Sequence, residues 1–137
     1  MADSEVGVAK ILVVDDQDMI VSLVQRTLEL NGHDVTAAAD GRTALRLMSE
    51  NPPDLVITDI FMPEMDGLEF LRETRAVSPR PRVIAMSGGG VMDHGQVLHL
   101  ARALGAGMVL QKPFLPTDLM ERVDHALALD PEGAPSD

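Results

Sequence analysis

Five polar residues that together could bind and transfer a phosphoryl group stand directly behind short apolar runs of this 137-residue chain. They are Asp15 and Asp16 after the first run, Asp59 after the third, Ser87 after the fourth and Lys112 after the fifth. Three carboxylates held close together repel one another, and a divalent cation relieves that repulsion. All-oxygen ligands in a chain without cysteine favour Mg²⁺ over zinc. One carboxylate beside such an ion could then act as a nucleophile toward phosphorus.

Lys112 and Ser87 supply the groups that such a transfer needs besides the carboxylates. A phosphoryl group in transfer spreads negative charge over three oxygens, which an ammonium, a hydroxyl and Mg²⁺ all stabilise. The chain has only two lysines, Lys10 and Lys112. Each polar residue alone has an ordinary explanation, as an acid that favours a helix start or as a turn residue. Their joint occurrence at four strand ends favours a site.

The elements that must position these residues are short apolar runs alternating with helical patterns. The predicted strands are Lys10–Val14, Asp34–Ala38, 55–58, 82–86 and Met108–Gln111. Five helices are predicted between and after them, the fourth carrying Val97, Leu100, Ala101 and Leu104 on one face and the last spanning 116–129. Strict alternation of this kind predicts an α/β fold, a doubly wound five-stranded parallel sheet with helices on both faces. Ligands of such sheets bind at the carboxyl ends of the strands.

Three local signals mark the ends of the predicted helices. Asn31-Gly32 is typical of a left-handed helix stop, and Asp40 is a good N-cap for the second helix. Asp66, followed three residues later by Glu69, resembles a capping box for the third.

Composition limits the classes of protein that remain. Hydrophobic residues make up 45% of the chain, enough for a packed core, and the absence of cysteine excludes disulfide scaffolds and thiol chemistry. The net charge of −11 repels phosphate backbones and argues against direct nucleic-acid binding. The chain lacks a membrane-length apolar stretch and a signal-peptide core, so a cytoplasmic protein without a membrane partner is predicted. We expect an N-terminal segment over 1–9, one domain over 10–129 and a flexible tail over 130–137.

With these motifs in order, the sequence resembles the receiver domain of response regulators in two-component signalling, of the chemotaxis-regulator type. The resemblance rests on residues 11–16, 54–67, 82–88 and 105–114 and extends over nearly the whole chain, from Lys10 to Leu129. It implies the flavodoxin-like receiver fold, with strand order 2-1-3-4-5 and five helices.

The resemblance also implies a metal centre and a phosphoacceptor. Asp59 would accept the phosphoryl group, Asp16 would bind Mg²⁺ directly, and Asp15 would support the metal through water. The backbone carbonyl of Phe61 would be a further Mg²⁺ ligand beside Asp59.

The remaining implied roles concern the phosphoryl group and its donor. Ser87 and Lys112 would contact the phosphoryl oxygens, and a cis Lys112–Pro113 peptide would hold the lysine in position. The donor would be a phosphohistidine on a histidine kinase or a histidine phosphotransfer protein. Such a chain catalyses its own phosphorylation and Mg²⁺-dependent dephosphorylation but is not a turnover enzyme.

The sequence departs from the family pattern at two positions. The family usually has Tyr or Phe three residues before the lysine, where this chain has Val109, so the usual aromatic partner of the Ser87 switch is missing. A mobile glycine run at 88–90 is an alternative source of movement. Phe61 is bulkier than many residues found two positions after the phosphoacceptor, and it could shield Asp59 from water or have no such role.

The leading hypothesis is therefore a phosphorylation-dependent switch that changes protein–protein contacts or passes its phosphoryl group on. We expect no DNA-binding output domain after Leu129, so the downstream target would be a protein. The family's usual contact surface would include Gln96, His99, Arg102, Val109, Arg122 and His125. The alternative is a receiver-shaped scaffold that is never phosphorylated. A metal-dependent phosphatase is disfavoured because the required second acid is replaced by Phe61, and a nucleotide-binding domain because no glycine-rich phosphate loop follows the first strand.

Overall fold

A computed structural model describes residues 8–60, 67–74, 76–77, 80–88, 95–96, 99, 102 and 108–128 of the chain. The described elements follow in the order β1 Lys10–Val14, α1 Asp18–Leu30, β2 Asp34–Ala38, α2 Gly41–Glu50, β3 Leu55–Asp59, α3 Gly67–Thr74, β4 Arg82–Ser87, β5 Met108–Gln111 and α4 Pro116–Leu127. Among these helices, none combines the length and the apolar character that a bilayer crossing requires.

The five strands form one sheet in the order β2-β1-β3-β4-β5, and every neighbouring pair is parallel. The predicted fold class and strand order are confirmed. The structure tests the prediction of five helices only in part, because the fourth predicted helix lies mostly outside the described residues. The described positions within it, Gly95, Gln96, His99 and Arg102, are helical.

The sheet is buried on both faces because successive side chains of each strand point to opposite sides. On one face, Leu12 and Val56 pack in an apolar cluster with Met48 of α2 and Phe70 of α3. The cluster on the other face contains apolar residues of the same strands together with α1 and α4: Ile11, Val13, Ile57, Val24, Leu28, Leu119 and Val123. Continuous runs of β-branched and aliphatic residues therefore appear where a strand has no solvent face.

Two strands and one helix end at different residues than predicted. β3 includes Asp59 and β4 includes Ser87, because the sheet register continues to these residues: Asp59 is opposite Met86, and Ser87 is opposite Gln111. The last helix ends at Leu127 rather than at residue 129. The two polar side chains are therefore fixed by regular sheet structure rather than carried on loops.

The signals for helix starts and stops are confirmed where the structure describes them. Gly32 has φ +91°, the left-handed conformation that glycine adopts without steric cost, and it directly follows the α1 C-cap residue Asn31. Asp40 is the N-cap of α2, as predicted. The predicted cap at Asp66 lies outside the described residues.

The Asp40 cap should contribute a pH-dependent part of the stability. The backbone N–H of Thr43 donates to Asp40 Oδ1 at 2.8 Å, and this hydrogen bond lowers the pKa of the Asp40 carboxyl. A lowered pKa gives stability that is present above the unfolded-state pKa and is lost as the pH falls through the folded-state pKa. In urea unfolding, we expect Asp40→Ala to lower the free energy of unfolding at neutral pH.

Asparagine caps helices about as well as aspartate but carries no charge, so Asp40→Asn is the matched control. It should retain most of the stability at neutral pH and lose less of it in acid than the wild-type chain. An acid-induced loss equal to that of wild type would show that this carboxyl contributes nothing to the pH dependence.

Candidate functional site

Three aspartates meet at the carboxyl ends of the adjacent strands β1 and β3. Asp15 and Asp16 follow β1 directly, and Asp59 is the last residue of β3. One carboxylate oxygen of each residue lies within 4.8 Å of those of the other two. Asp15 and Asp59 are buried, with 1% and 6% of their surface exposed, whereas Asp16 is exposed. The structure thus brings together the three carboxylates that the sequence analysis selected.

Lys112 places a positive charge inside this cluster. Its Nζ donates to Asp15 Oδ2 at 2.8 Å and lies 3.4 Å from Asp59 Oδ2. Only 11% of the lysine side chain is exposed, so both ion pairs are largely screened from water. The Lys112–Pro113 peptide is cis, in agreement with the resemblance.

Ser87 lies at the same edge of the sheet, between Asp59 and Lys112. It ends β4, which pairs with β3 on one side and β5 on the other. Its carbonyl oxygen accepts a hydrogen bond from the Lys112 backbone N–H at 2.6 Å, and the residue is buried. Residues from four regions of the chain, separated by up to 97 positions, therefore lie together at one edge of the sheet.

The charge and the donor atoms of the pocket suit a hard divalent cation. Three ionised carboxylates against one ammonium leave excess negative charge, and two of those carboxylates are buried at the end of the sheet. Taking such charges out of water is costly unless a cation or hydrogen bonds compensate them. The clustered ligand atoms are carboxylate oxygens, which Mg²⁺ prefers. The pocket can therefore hold a metal ion.

One residue of the pocket was not found from the sequence. Gln17, which directly follows the aspartate pair, accepts a hydrogen bond at its side-chain Oε1 from Lys112 Nζ at 3.0 Å. Its backbone N–H donates to Asp15 Oδ1 at 2.9 Å. The only signal in the sequence was its position beside Asp15-Asp16, which does not reveal where an exposed side chain points.

Other predicted functional residues are either undescribed or differently placed. Phe61, with its predicted carbonyl ligand, lies outside the described residues, as do Gly89 and Gly90. Val109 was predicted to belong to a protein-contact surface, but it is buried in an apolar cluster, with Ala85 as its partner on β4. Although β5 is an edge strand, the Val109 side chain lies on a sheet face that the apolar cluster covers, so this surface assignment was wrong. The remaining predicted contact residues are exposed or half-buried: Gln96, His99, Arg102, Arg122 and His125.

Gly88, the described residue of the glycine run, should tolerate a methyl group. A Cβ added there would meet Lys112 Cδ at 3.6 Å and Lys112 Cβ at 3.9 Å, which are ordinary van der Waals distances. Because alanine restricts the unfolded chain more than glycine does, Gly88→Ala should raise the free energy of unfolding by about 0.5 kcal/mol. Urea denaturation measures this change, and a loss of stability would show that the native backbone here excludes alanine.

Comparison with known proteins agrees with the geometry. Residues 11–124 match the family described as response regulator receiver domain. The chain is 38% identical over 130 residues to the alkaline phosphatase synthesis transcriptional regulatory protein PhoP of Bacillus subtilis, covering 93% of this chain and 52% of that protein. It is 36% identical to the transcriptional regulatory protein PrrA of Mycobacterium tuberculosis, covering 91% of this chain and 52% of PrrA.

Solved structures give the same result. The chemotaxis response regulator CheY4 of Vibrio cholerae superposes with a TM-score of 0.79 at 32% identity, covering 87% of this chain and 98% of CheY4. The receiver domain of NtrX from Brucella abortus also gives a TM-score of 0.79, at 34% identity, with 85% of this chain and 97% of that domain covered.

The curated relatives bear on the prediction that nucleic acid is not a partner. They are named transcriptional regulators, so this prediction conflicts with them. The chain spans about half the length of these relatives. The prediction rested on the charge of the 137 residues alone, and that charge does not decide what a protein of twice the length binds.

Receiver domains are signalling switches rather than turnover enzymes, and the elements that position the acidic pocket here fall within the matched region. From its match over residues 11–124 and its similarity to CheY4 and the NtrX receiver, the chain belongs to the response regulator receiver domain family.

Proposed function

We propose that the chain is a phosphorylation-dependent signalling switch in which Asp59 accepts a phosphoryl group. The observation that carries this proposal is the position of the Asp59 carboxylate, in one pocket with the Asp15 and Asp16 carboxylates and 3.4 Å from the Lys112 ammonium. A carboxylate beside fixed positive charge is suited to attack phosphorus, because the charge that develops on the transferred group is stabilised as it forms.

In the proposed reaction, an Asp59 carboxylate oxygen attacks the phosphorus of a phosphohistidine. A new O–P bond forms while the P–N bond breaks, and its electron pair leaves with the imidazole nitrogen. The Lys112 ammonium would neutralise one phosphoryl oxygen, and the Ser87 hydroxyl would donate to another. Besides its role toward the metal, Asp15 would orient the lysine, since its carboxylate makes the shorter of the two ion-pair contacts, at 2.8 Å.

Mg²⁺ fits the pocket because the ligand atoms that the pocket offers are carboxylate oxygens within 4.8 Å of one another. We propose that Asp15, Asp16 and Asp59 hold it and that, when bound, it neutralises charge on the phosphoryl oxygens. Asp16 is the exposed member of the set, so it is the carboxylate most open to an ion that arrives from solvent.

The donor of the phosphoryl group would be a histidine kinase or a histidine phosphotransfer protein. The downstream partner would be a protein that distinguishes the two states of Asp59, or one that receives the phosphoryl group. The domain that performs this function is proposed to span residues 10–129, slightly more than the matched region.

A non-phosphorylated scaffold remains the second candidate, and one observation favours it. Val109 occupies the position of the usual aromatic switch residue, and it is buried among apolar side chains, with 7% of its surface exposed. A small β-branched side chain has a restricted choice of rotamers, so it cannot reproduce the inward rotation of a ring. As a scaffold, the protein would keep one shape of the pocket and would not switch between a phosphorylated and an unphosphorylated state.

Incubation with Mg²⁺ and a small acyl phosphate, followed by the intact mass of the protein, separates the two candidates. The switch predicts a gain of one phosphoryl group, and the scaffold predicts an unchanged mass. Removing Mg²⁺ with a chelator should greatly slow the gain of the phosphoryl group. An unchanged mass in the presence of Mg²⁺ would refute the proposed function.

A further inference from the structure

Lys112 has three polar neighbours in the described structure, and one of them is neutral and exposed. Its ammonium donates to Asp15 Oδ2 at 2.8 Å and to Gln17 Oε1 at 3.0 Å, and it lies 3.4 Å from Asp59 Oδ2. Two of the three N–H groups of the ammonium form these hydrogen bonds, whereas the longer contact with Asp59 is an ion pair. The ammonium is thus held closer to Asp15 and Gln17 than to the phosphoacceptor.

The three contacts differ in strength. Hydrogen bonds between charged groups are stronger than those with one neutral partner, and Asp15 is almost fully buried, which strengthens its contact further. The bond to Gln17 pairs the ammonium with a neutral amide oxygen near solvent. If the ammonium moves toward a group on Asp59, breaking the contact with Gln17 therefore costs the least free energy.

We propose that Gln17 is a positioning residue that holds the Lys112 ammonium on the Asp15 side of the pocket while Asp59 is unphosphorylated. The inference rests on the proposed function. A phosphoryl group on Asp59 brings negatively charged oxygens that compete for the ammonium, and Lys112 exchanges its bond to Gln17 for one of them. Gln17 thereby stabilises the resting state and slows phosphorylation.

The side chain of Gln17 can be changed without disturbing the start of α1. The backbone carbonyl oxygen of Gln17 accepts from the backbone N–H groups of Ile20 and Val21 at 3.0 and 3.1 Å, and the backbone N–H of Gln17 donates to the Asp15 carboxylate. The side chain makes no capping hydrogen bond to α1. Because Gln17 contributes to the helix start only through its own main-chain atoms, a substitution of its side chain tests the contact with Lys112 rather than the fold.

The first test is the initial rate of phosphorylation by a small acyl phosphate at saturating Mg²⁺. Gln17→Leu keeps a similar volume and removes the acceptor, so it should raise the rate about three- to tenfold, the range expected for one net hydrogen bond. Gln25→Leu makes the same chemical change elsewhere on α1 and should leave the rate at the wild-type value. A Gln17→Leu rate at or below that of Gln25→Leu would overturn the proposal.

The second test observes the lysine directly and needs no phosphorylation. The chain has two lysines, so side-chain NMR signals from lysine-labelled protein separate Lys112 from Lys10, which lies at the far end of β1 and serves as the reference. Gln17→Leu should shift the Lys112 signals and leave those of Lys10 in place. Gln17→Glu retains an acceptor and should bring the Lys112 ammonium signal back to a hydrogen-bonded position.

The two tests keep this inference separate from the proposed function. Unshifted Lys112 signals in Gln17→Leu would refute the positioning role even if Asp59 is phosphorylated normally. A wild-type chain that takes up no phosphoryl group would refute the proposed function, and with it the effect on rate. The lysine signals would then show whether Gln17 holds the ammonium.

Discussion

Asp59→Asn should abolish phosphoryl uptake while leaving the protein folded. The amide has nearly the same size as the carboxylate but lacks the nucleophilic oxygen, so the step that forms the O–P bond cannot occur. We expect the intact mass after incubation with Mg²⁺ and an acyl phosphate to equal that of the untreated variant. We expect little change in its free energy of unfolding, because Asp59→Asn relieves repulsion among three carboxylates while it weakens the 3.4 Å contact with the Lys112 ammonium.

Asp124→Asn provides the matched control for this variant. Asp124 is an exposed residue of α4, outside the acidic pocket, and its substitution makes the same change in mass and charge. This variant should gain one phosphoryl group as wild type does. A phosphoryl group that persists on Asp59→Asn would mean that another side chain is the acceptor, and peptide mapping of the modified protein would then identify it.

Lys112→Met separates the nucleophile from the charge that assists it. Removing one preorganised charge-stabilising group typically costs a factor of about 100 to 1,000 in rate. We therefore expect slow but complete phosphorylation of Lys112→Met, in contrast to none for Asp59→Asn. A rate equal to that of wild type would exclude the lysine from the transfer.

The fold and most of the acidic pocket followed from the sequence because two simple regularities act together. Strict alternation of strands and helices imposes a parallel sheet, and all strands of such a sheet end at the same edge. Asp15, Asp59 and Lys112 each follow an apolar run, so their meeting at that edge could be predicted without coordinates. The strand order came from the family resemblance, since alternation alone does not specify it.

Features that depend on side-chain direction could not be predicted in the same way. Gln17 and Lys112 are 95 residues apart, and their hydrogen bond depends on the rotamers of two long side chains. Val109 was assigned to a surface because its strand lies in the family's contact region, although its alternation within β5 turns it into the core. Asp59 and Ser87 fell one residue outside the predicted strands because pairing with a neighbouring strand determines where a strand ends.

Mg²⁺ should stabilise the folded chain, and the free energy of unfolding should rise with the logarithm of its concentration once that concentration exceeds the Kd of the pocket. An ion that binds only the native state raises the free energy of unfolding by RT ln(1 + [Mg²⁺]/Kd), about 2.7 kcal/mol at a hundredfold excess over Kd. The three carboxylate oxygens within 4.8 Å exist as a cluster only in the native state, because the unfolded chain separates Asp59 from the Asp15-Asp16 pair. Urea unfolding over a series of Mg²⁺ concentrations measures the rise.

Asp16→Asn should remove most of this rise at small cost to the metal-free fold. Asp16 is exposed, so its carboxylate packs against little, and its removal relieves repulsion from the two buried aspartates. Asp18→Asn removes the same charge two residues away, in the first turn of α1 and outside the cluster, and should keep the Mg²⁺-dependent rise. If Mg²⁺ raises the free energy of unfolding of the two variants equally, the rise comes from general screening of an acidic chain and not from binding at the three carboxylates. A wild-type stability that is indifferent to Mg²⁺ would show that the carboxylates do not bind the ion, although they lie together.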